Sequence, residues 1–188
     1  GHLVSLLKSG AIGEIVEVNA SVTTLTDESS DKLNKNYYGG SMNENACFPL
    51  LPIFKLLGTE YENINFYSKI KNEVDMFTKA VFRYTSAVAS FQVGLGVKTE
   101  GNLVVAGTKG YAYVPAPWWK TDYFELRFED QNKNQKFFHT WAGDGLRYEI
   151  KDFISAILSK VFFFSKVSKK ENVRMAEVQE MYLNGVNL

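Results

Sequence analysis

The chain is short of cysteine, of net charge and of long hydrophobic runs, and each shortage excludes a class of protein. Its single cysteine, Cys47, leaves no internal disulfide among 188 residues, which suits the reducing cytoplasm. The 21 basic residues balance the 21 acidic ones, so no basic surface for a nucleic acid or an anionic membrane is indicated. The most apolar stretch, Phe153 to Phe164, is interrupted at Ser155, Ser159 and Lys160, well short of the ~20 residues of a membrane span. We therefore predict a cytoplasmic protein without nucleic-acid or membrane partners.

Signatures of metal, triad and nucleotide sites are equally scarce. The two histidines, His2 and His139, are far apart in the sequence and have no cluster of further ligands beside them, so we predict no metal site and no catalytic triad. Gly94-Leu-Gly96 falls within a strand pattern, and Thr99 stands where a dinucleotide fingerprint has its third glycine. Gly107-Thr-Lys-Gly110 lacks the Lys-Ser/Thr order of a phosphate loop and predicts a hairpin turn instead. These motifs therefore indicate no cofactor site in this chain.

What the chain does contain is a succession of strand patterns followed by helical ones. Alternating apolar and polar residues predict strands over residues 14–25, 74–84, 87–95, 102–106, 111–114 and 124–128. Gly143-Asp144-Gly145 precedes an apolar helical stripe that begins at Leu146, and Ser168-x-x-Glu171 is the capping box of a final helix. With 45% apolar and 22% charged residues, the chain is ordinary for one globular domain. We predict an α+β fold: a large, mainly antiparallel open β-sheet with helices on one face.

The segment YYGGSMNENACFPLLPIFKLLG is the most informative stretch. Its two glycines permit backbone angles that are closed to other residues. Ser41 and Glu44 have the spacing of a capping box, and the apolar periodicity that follows predicts a helix from about Met42 to Leu57. Pro49 and Pro52 fall inside this helix. Each removes a backbone donor and pushes on the preceding turn, so we expect the helix to bend or break there.

The same segment resembles the site helix in the second domain of the glucose–fructose oxidoreductase/inositol dehydrogenase/MocA (GFO/IDH/MocA) family. The shared pattern is GG-x-x-x-[D/E]-x-x-x-[H/Y]-P…LLG. The resemblance implies that the acidic residue and the His or Tyr four positions on, which share one helix face, point at the substrate and the nicotinamide. Glu44 and Phe48 occupy these acid/base positions here, so the acid is kept but Phe48 has no titratable group. Leu51 takes the place of a further acidic residue. The stretches KSGAIGEI and GTKGYAYVPAPWWK are also similar to the family.

The resemblance implies a role for the whole chain. Residues 1–188 would form a single substrate-binding and oligomerisation domain of an NAD(P)-dependent oxidoreductase that acts on a sugar or cyclic polyol. The family's N-terminal Rossmann domain, which binds NAD or NADP, and its Lys-Pro segment with the catalytic lysine have no counterpart in this sequence. This domain would pair into a homodimer or tetramer through its sheet. No catalytic residue and no metal ligand is assigned, and the substrate-binding candidates are Tyr38, Glu44, Cys47 and Phe48.

Alternatives remain open at this stage. Glu44 can serve the capping box alone, without touching a substrate. Phe48, in place of a proton carrier, is also compatible with a non-catalytic sugar-binding or scaffold protein that has a degenerate active site. A free-standing sheet domain with only an assembly role is a third possibility. For Cys47, a buried and unreactive thiol is the default expectation.

This chain alone is predicted to be inactive as a dehydrogenase and to bind NAD(P) weakly or not at all. The reason is that its sequence lacks the glycine turn and the helix-terminus amides that hold a pyrophosphate. Isothermal titration calorimetry with NAD and with NADP should give no heat of specific binding. Micromolar affinity for either nucleotide would contradict the assignment of cofactor binding to a separate domain.

Overall fold

An eight-stranded open sheet forms the body of the protein, whose computed structural model describes residues 1–140, 145–159 and 166–185. The strand order is β2-β3-β4-β1-β5-β6-β7-β8. Strands β1 and β4 run parallel, and every other neighbouring pair is antiparallel. The predicted α+β fold with a mainly antiparallel open sheet is therefore confirmed. The strands are β1 Ile15–Thr24, β2 Asn63–Lys71, β3 Val74–Arg83, β4 Val88–Leu95, β5 Leu103–Gly107, β6 Tyr111–Val114, β7 Tyr123–Arg127 and β8 Gln135–Phe138.

The described residues form five helices, and four of them cover one face of this sheet. They are α1 His2–Lys8, α2 Ser41–Asn45, α3 Cys47–Leu57, α4 Leu146–Ser159 and α5 Lys169–Gly185, and short 3₁₀ turns lie at Asp31–Leu33, Lys35–Tyr37 and Gln131–Lys133. Apolar side chains of α1, α2, α3 and α5 share one core with the sheet. No helix among the described residues has the length and hydropathy needed to cross a membrane.

The core lies between these helices and one row of alternating strand residues. Val18 and Ala20 on the central strand β1 are fully buried, as are Leu50 and Ile53 on α3, which packs across that strand. Alternation of side chains along each strand sends one set to this core and the next set to the opposite face of the sheet. We call that opposite side the open face.

Two features of the helical ends were predicted from sequence. Ser168 and Glu171 form the expected capping box of α5: the Ser168 amide donates to the Glu171 carboxylate at 2.7 Å, and the Glu171 amide donates to Ser168 Oγ at 3.2 Å. Helix α4 is present as predicted, but Gly143 and Asp144, expected to introduce it, lie outside the described residues. Its apolar stripe is exposed by 48–68% rather than packed in the core; the stripe consists of Leu146, Ile150, Phe153, Ile154 and Ile157.

A β-bulge interrupts the regular alternation of β3. Asp75 and Phe77 pair with adjacent residues of β2, so the intervening Met76 has no partner on that strand. An extra residue of this kind shifts the side-chain alternation by one position. Val74 and the bulged Met76 pack in a second small cluster, separate from the main core. This cluster contains Leu33, Val74, Met76 and Leu95.

The helix of the glycine-proline segment is divided in two, as the prolines predicted. The division between α2 and α3 falls at Ala46. The ring of Pro49 presses on the carbonyl four residues earlier, which belongs to Asn45, and Pro49 has no amide to donate to it. Pro52 is accommodated inside α3 without a second break.

Replacing one core phenylalanine should test this assignment of the core. Phe82 is fully buried, whereas Phe153 on α4 is 68% exposed. We expect Phe82→Ala to lower the free energy of unfolding by about 3–5 kcal/mol, because it leaves a cavity in the core. Phe153→Ala should change it by less than about 0.5 kcal/mol. Urea denaturation followed by circular dichroism measures both, and equal effects would contradict this core assignment.

Candidate functional site

Three of the four predicted site residues lie on one outward face of the divided helix. Glu44, Cys47 and Phe48 are spaced so that they share this face, while Met42 and Leu50 point into the core. The Phe48 ring is 45% exposed, and Cys47 is exposed rather than buried, which corrects the expectation from its apolar surroundings. The outward face continues to the half-buried Leu51. We call Glu44, Cys47, Phe48 and Leu51 the site stripe.

Tyr38, the fourth predicted residue, lies in the loop that precedes α2. Its backbone is left-handed, with φ of 56°, and its side chain is 84% exposed. The side-chain amide of Asn43 donates to the Tyr38 carbonyl at 2.9 Å. This bond ties the loop to α2, so Tyr38 is held at the N-terminal end of the site stripe.

A lysine that the sequence did not single out lies beside Glu44. The Lys32 ammonium is 3.4 Å from the Glu44 carboxylate, and the two side chains are 59% and 34% exposed. The loop reaches this position because the Gly40 amide donates to the Lys32 carbonyl at 2.8 Å. A side chain at Gly39 would collide with that same carbonyl, so glycine is required for the close approach. An exposed pair of this kind contributes less than about 1 kcal/mol, but it places both charges at the site.

The start of α2 is held by a buried carboxylate on β3 instead of by the predicted capping box. Gly40, with φ of 124°, is the N-cap residue, and no side chain of the segment caps the helix locally. The Met42 amide donates to the Asp75 carboxylate at 3.0 Å, and the Ser41 hydroxyl donates to it as well. The capping-box prediction for Ser41 and Glu44 is therefore wrong, because Asp75 supplies a stronger, charged acceptor from another element.

Asp75 also connects the site to the last helix. The carboxylate is only 4% exposed and receives a third hydrogen bond, from Thr78 Oγ1 at 2.7 Å. Thr78 in turn lies 3.3 Å from the Tyr182 hydroxyl on α5, which is 3.1 Å from Ser68 Oγ on β2. Burial raises the pKa of Asp75 above its usual value, although the hydrogen bonds from Ser41, Thr78 and the backbone oppose this shift.

The described residues offer no activated thiol and no metal site. Partial burial raises the pKa of the Cys47 thiol, which disfavours the nucleophilic thiolate. Over the residues that the structure describes, no group of three His, Cys, Asp or Glu side chains is placed to hold a metal ion. The fold does bring His2 and His139 together, with ring centroids 5.3 Å apart. His2 also meets Phe124 and Phe137 edge to face, so this pair packs as part of an aromatic cluster.

Comparison with protein families identifies the chain as a member of a known one. Residues 2–113 match the GFO/IDH/MocA C-terminal domain, which is more than half of the chain. The chain therefore belongs to the C-terminal domains of the GFO/IDH/MocA family, as its site segment indicated. A comparison with curated protein sequences gave no significant match.

Solved structures show the same fold at low sequence identity. KijD10, a 3-ketoreductase from Actinomadura kijaniata crystallised with NADP and TDP-benzene, is 17% identical with a TM-score of 0.80. The match covers 98% of this chain and 57% of KijD10. Levoglucosan dehydrogenase in complex with NADH and levoglucosan is 16% identical with a TM-score of 0.76, over 96% of this chain and 59% of that protein. The chain thus spans a little more than half the length of these structures.

The raised pKa of Asp75 predicts how stability changes with pH. Because its folded-state pKa lies above the unfolded value, the folded protein takes up this proton more readily. Its contribution to stability is complete below the unfolded pKa and is lost as the pH rises through the folded one. On lowering the pH from about 7 to about 4, the free energy of unfolding of the wild type should therefore increase relative to that of Asp75→Asn. Urea unfolding of both proteins across this range measures the difference, and a constant or opposite difference would contradict the prediction.

Proposed function

We propose that this domain forms the substrate-binding part of an NAD(P)-dependent oxidoreductase that acts on a sugar or cyclic polyol, and that the site stripe faces this substrate. The observation that carries the proposal is the outward position of Glu44, whose carboxylate takes no part in capping α2. Membership of the GFO/IDH/MocA family supports it. Two relatives of the same fold were crystallised with nicotinamide nucleotides, one of them with levoglucosan.

Each residue of the site would contribute a different interaction with a polyol. The Glu44 carboxylate would accept hydrogen bonds from hydroxyl groups, and Lys32, 3.4 Å away, would orient it. The Phe48 ring would pack against the apolar face of a sugar ring. Tyr38 and Cys47 would lie at the margins of the substrate. Since Phe48 carries no titratable proton, proton transfer in the full-length protein would use a different group.

NAD or NADP would be held mainly by a separate domain. A dinucleotide site needs a glycine turn between a strand and a helix, so that backbone amides reach the pyrophosphate. Within residues 1–140, 145–159 and 166–185, no strand leads through a glycine-rich fingerprint into a helix. The described residues therefore do not fit the pyrophosphate of the cofactor. Their role would be to present the substrate to it.

A non-catalytic sugar-binding or scaffold protein is the second candidate function. Phe48 favours it, because the family pattern has a proton-carrying residue there. The two functions differ in turnover. General acid–base help is typically worth ~10²–10⁴-fold in rate, so an enzyme that lacks it should turn over visibly more slowly.

If Phe48 only lines the pocket, Phe48→Leu in the full-length protein should alter substrate affinity more than the pH profile of the rate.

Replacing Glu44 should weaken sugar binding by this chain. Glu44→Gln keeps the shape of the side chain but removes the charge, and we expect roughly tenfold weaker binding of levoglucosan or D-glucose, since hydrogen bonds to charged groups are the stronger ones. Chemical-shift titration by NMR at millimolar sugar measures the affinity. Glu177→Gln is the matched control, because Glu177 also forms an ion pair, with Arg174, but lies on α5. Unchanged affinity in Glu44→Gln would remove Glu44 from the substrate site.

We also infer that the domain forms a homodimer, or a tetramer built from it, through the open face. This face is not uniformly polar, since the exposed fractions of Tyr67, Val88 and Phe138 are 63%, 44% and 68%. Arg127 lies over the Tyr113 ring with 4.5 Å to its centroid, and the Lys136 ammonium is 3.6 Å from the centroid of Tyr123. These side chains are spread from β2 to β8, so a two-fold contact between two copies of the open face would cover all of them at once.

Light scattering on this chain tests the dimer. At tens of micromolar, roughly where a modest interface holds, we expect twice the chain mass of 21.3 kDa. Val88→Glu on the open face should return the monomer, because it buries a charge in the contact. Leu183→Glu on α5 is the control, since both side chains are 44% exposed. A wild type with the mass of one chain would count against the sheet as the assembly surface.

A further inference from the structure

We propose that Asp75 is a positioning residue for the substrate site: by capping α2 from strand β3, it releases Glu44 from the helix terminus and leaves it free to meet the substrate. The inference rests on the proposed function for its substrate, and on the hydrogen bonds at the start of α2 for its geometry. Asp75 belongs to the sheet and has no place on the site stripe. It would therefore act through Glu44 without touching the sugar.

The bulge in β3 sets the direction of the Asp75 side chain. Because Met76 is unpaired, the alternation changes there, and the Asp75 carboxylate meets Thr78 and the start of α2. Without the bulge, Asp75 and Thr78, which are three positions apart, would point to opposite faces of the sheet. Bulges are common next to functional sites, where they redirect a side chain. The bulge is thus what brings a carboxylate from the sheet to the helix.

The Glu44 carboxylate cannot cap the helix and face outward at the same time. The S-x-x-E spacing allows the Glu44 carboxylate to fold back onto the backbone at the helix start, as Glu171 does at the start of α5. In α2 the Ser41 hydroxyl is bound to Asp75, and the Glu44 amide donates to the Gly40 carbonyl at 3.0 Å, so Gly40 takes the N-cap position that Ser41 would need for the box. The Glu44 carboxylate instead lies 3.4 Å from the Lys32 ammonium, on the outward side. The same motif therefore forms a capping box in α5 and leaves an outward-facing carboxylate in α2.

The hydrogen bonds of Asp75 hold the start of α2 rigidly. The Asp75 carboxylate is 4% exposed and has three donors, so each bond is shielded from competition by water. Gly40 lies directly against it, and a side chain there would collide with the carboxylate. Binding groups must be held to within about 0.5 Å by their supporting residues. Asp75 provides this support from a strand that is paired with β2 at this position and with β4 from Phe77 onward.

Hydrogen exchange at the Met42 amide tests the capping interaction without any ligand. We expect this amide to be protected in the wild type, partly protected in Asp75→Asn, which keeps one acceptor oxygen, and unprotected in Asp75→Ala. Ser41→Ala removes only one of the three donors and should keep the protection, so it serves if the Ala variant of Asp75 fails to fold. Asp130→Ala is the control, since Asp130 accepts the Asn132 amide at an exposed 3₁₀ turn far along the chain. Full protection of Met42 in a folded Asp75→Ala would overturn the proposal.

A double-mutant cycle tests whether Asp75 acts through Glu44. We expect Asp75→Asn and Glu44→Gln each to weaken levoglucosan binding about tenfold, and the double variant to bind no more weakly than either single one. A residue that affects binding independently of Glu44 would give additive effects, about a hundredfold together, and that result would overturn the positioning role. Asp130→Asn combined with Glu44→Gln is the control and should match Glu44→Gln alone. A wild type that binds neither levoglucosan nor D-glucose would contradict the proposed function and the substrate role of Asp75 together, while the Met42 exchange would still decide whether Asp75 holds the helix.

Discussion

A carboxylate removed from water is tolerated in a protein only where other donors replace its hydration shell, and Asp75 meets this condition with three of them. These bonds restrict the positions of the donors, because Ser41, Met42 and Thr78 must all stay within hydrogen-bonding distance of one carboxylate. The start of α2 and the bulged end of β3 are fixed to each other as a result. Through Thr78 and Tyr182 the same constraint extends to α5.

The site stripe depends on this constraint and on one proline. Asp75 sets where the helix begins, and Pro49 sets where it divides, so the short α2 between them carries Glu44 in a defined direction. Phe48 follows directly after the division, on the first turn of α3. Glu44 and Phe48, which the spacing predicts on one face of a single helix, lie on two separate helical pieces. The relative orientation of Glu44 and Phe48 therefore depends on the break at Ala46 as well as on the helical periodicity.

Features that depend on neighbouring residues could be predicted from the sequence. The strands follow from alternation, and the capping box of Ser168 and Glu171 forms because both partners lie within one turn. The identical spacing at Ser41 and Glu44 does not form a capping box. The competing acceptor, Asp75, is 34 residues from Ser41, too distant for a local sequence pattern to reveal. No sequence pattern around Asp75 predicts its contact with α2, since only the bulge places it against the helix. Lys32 was missed for the same reason: a turn in a polar loop, not a periodicity, brings it to Glu44.

The central strand has a consequence for how the domain folds. Strand β1 comes first in the sequence but lies in the middle of the sheet, where Asn19 meets Ser90, 71 residues away. On either side of it, β2 to β4 and β5 to β8 are meanders whose contacts are mostly local. Closing a long loop loses entropy before its contacts form, so the two meanders can form earlier than the strand that joins them. We therefore expect the seating of β1 between two preformed half-sheets to limit the folding rate, with the helical layer completed only after that step.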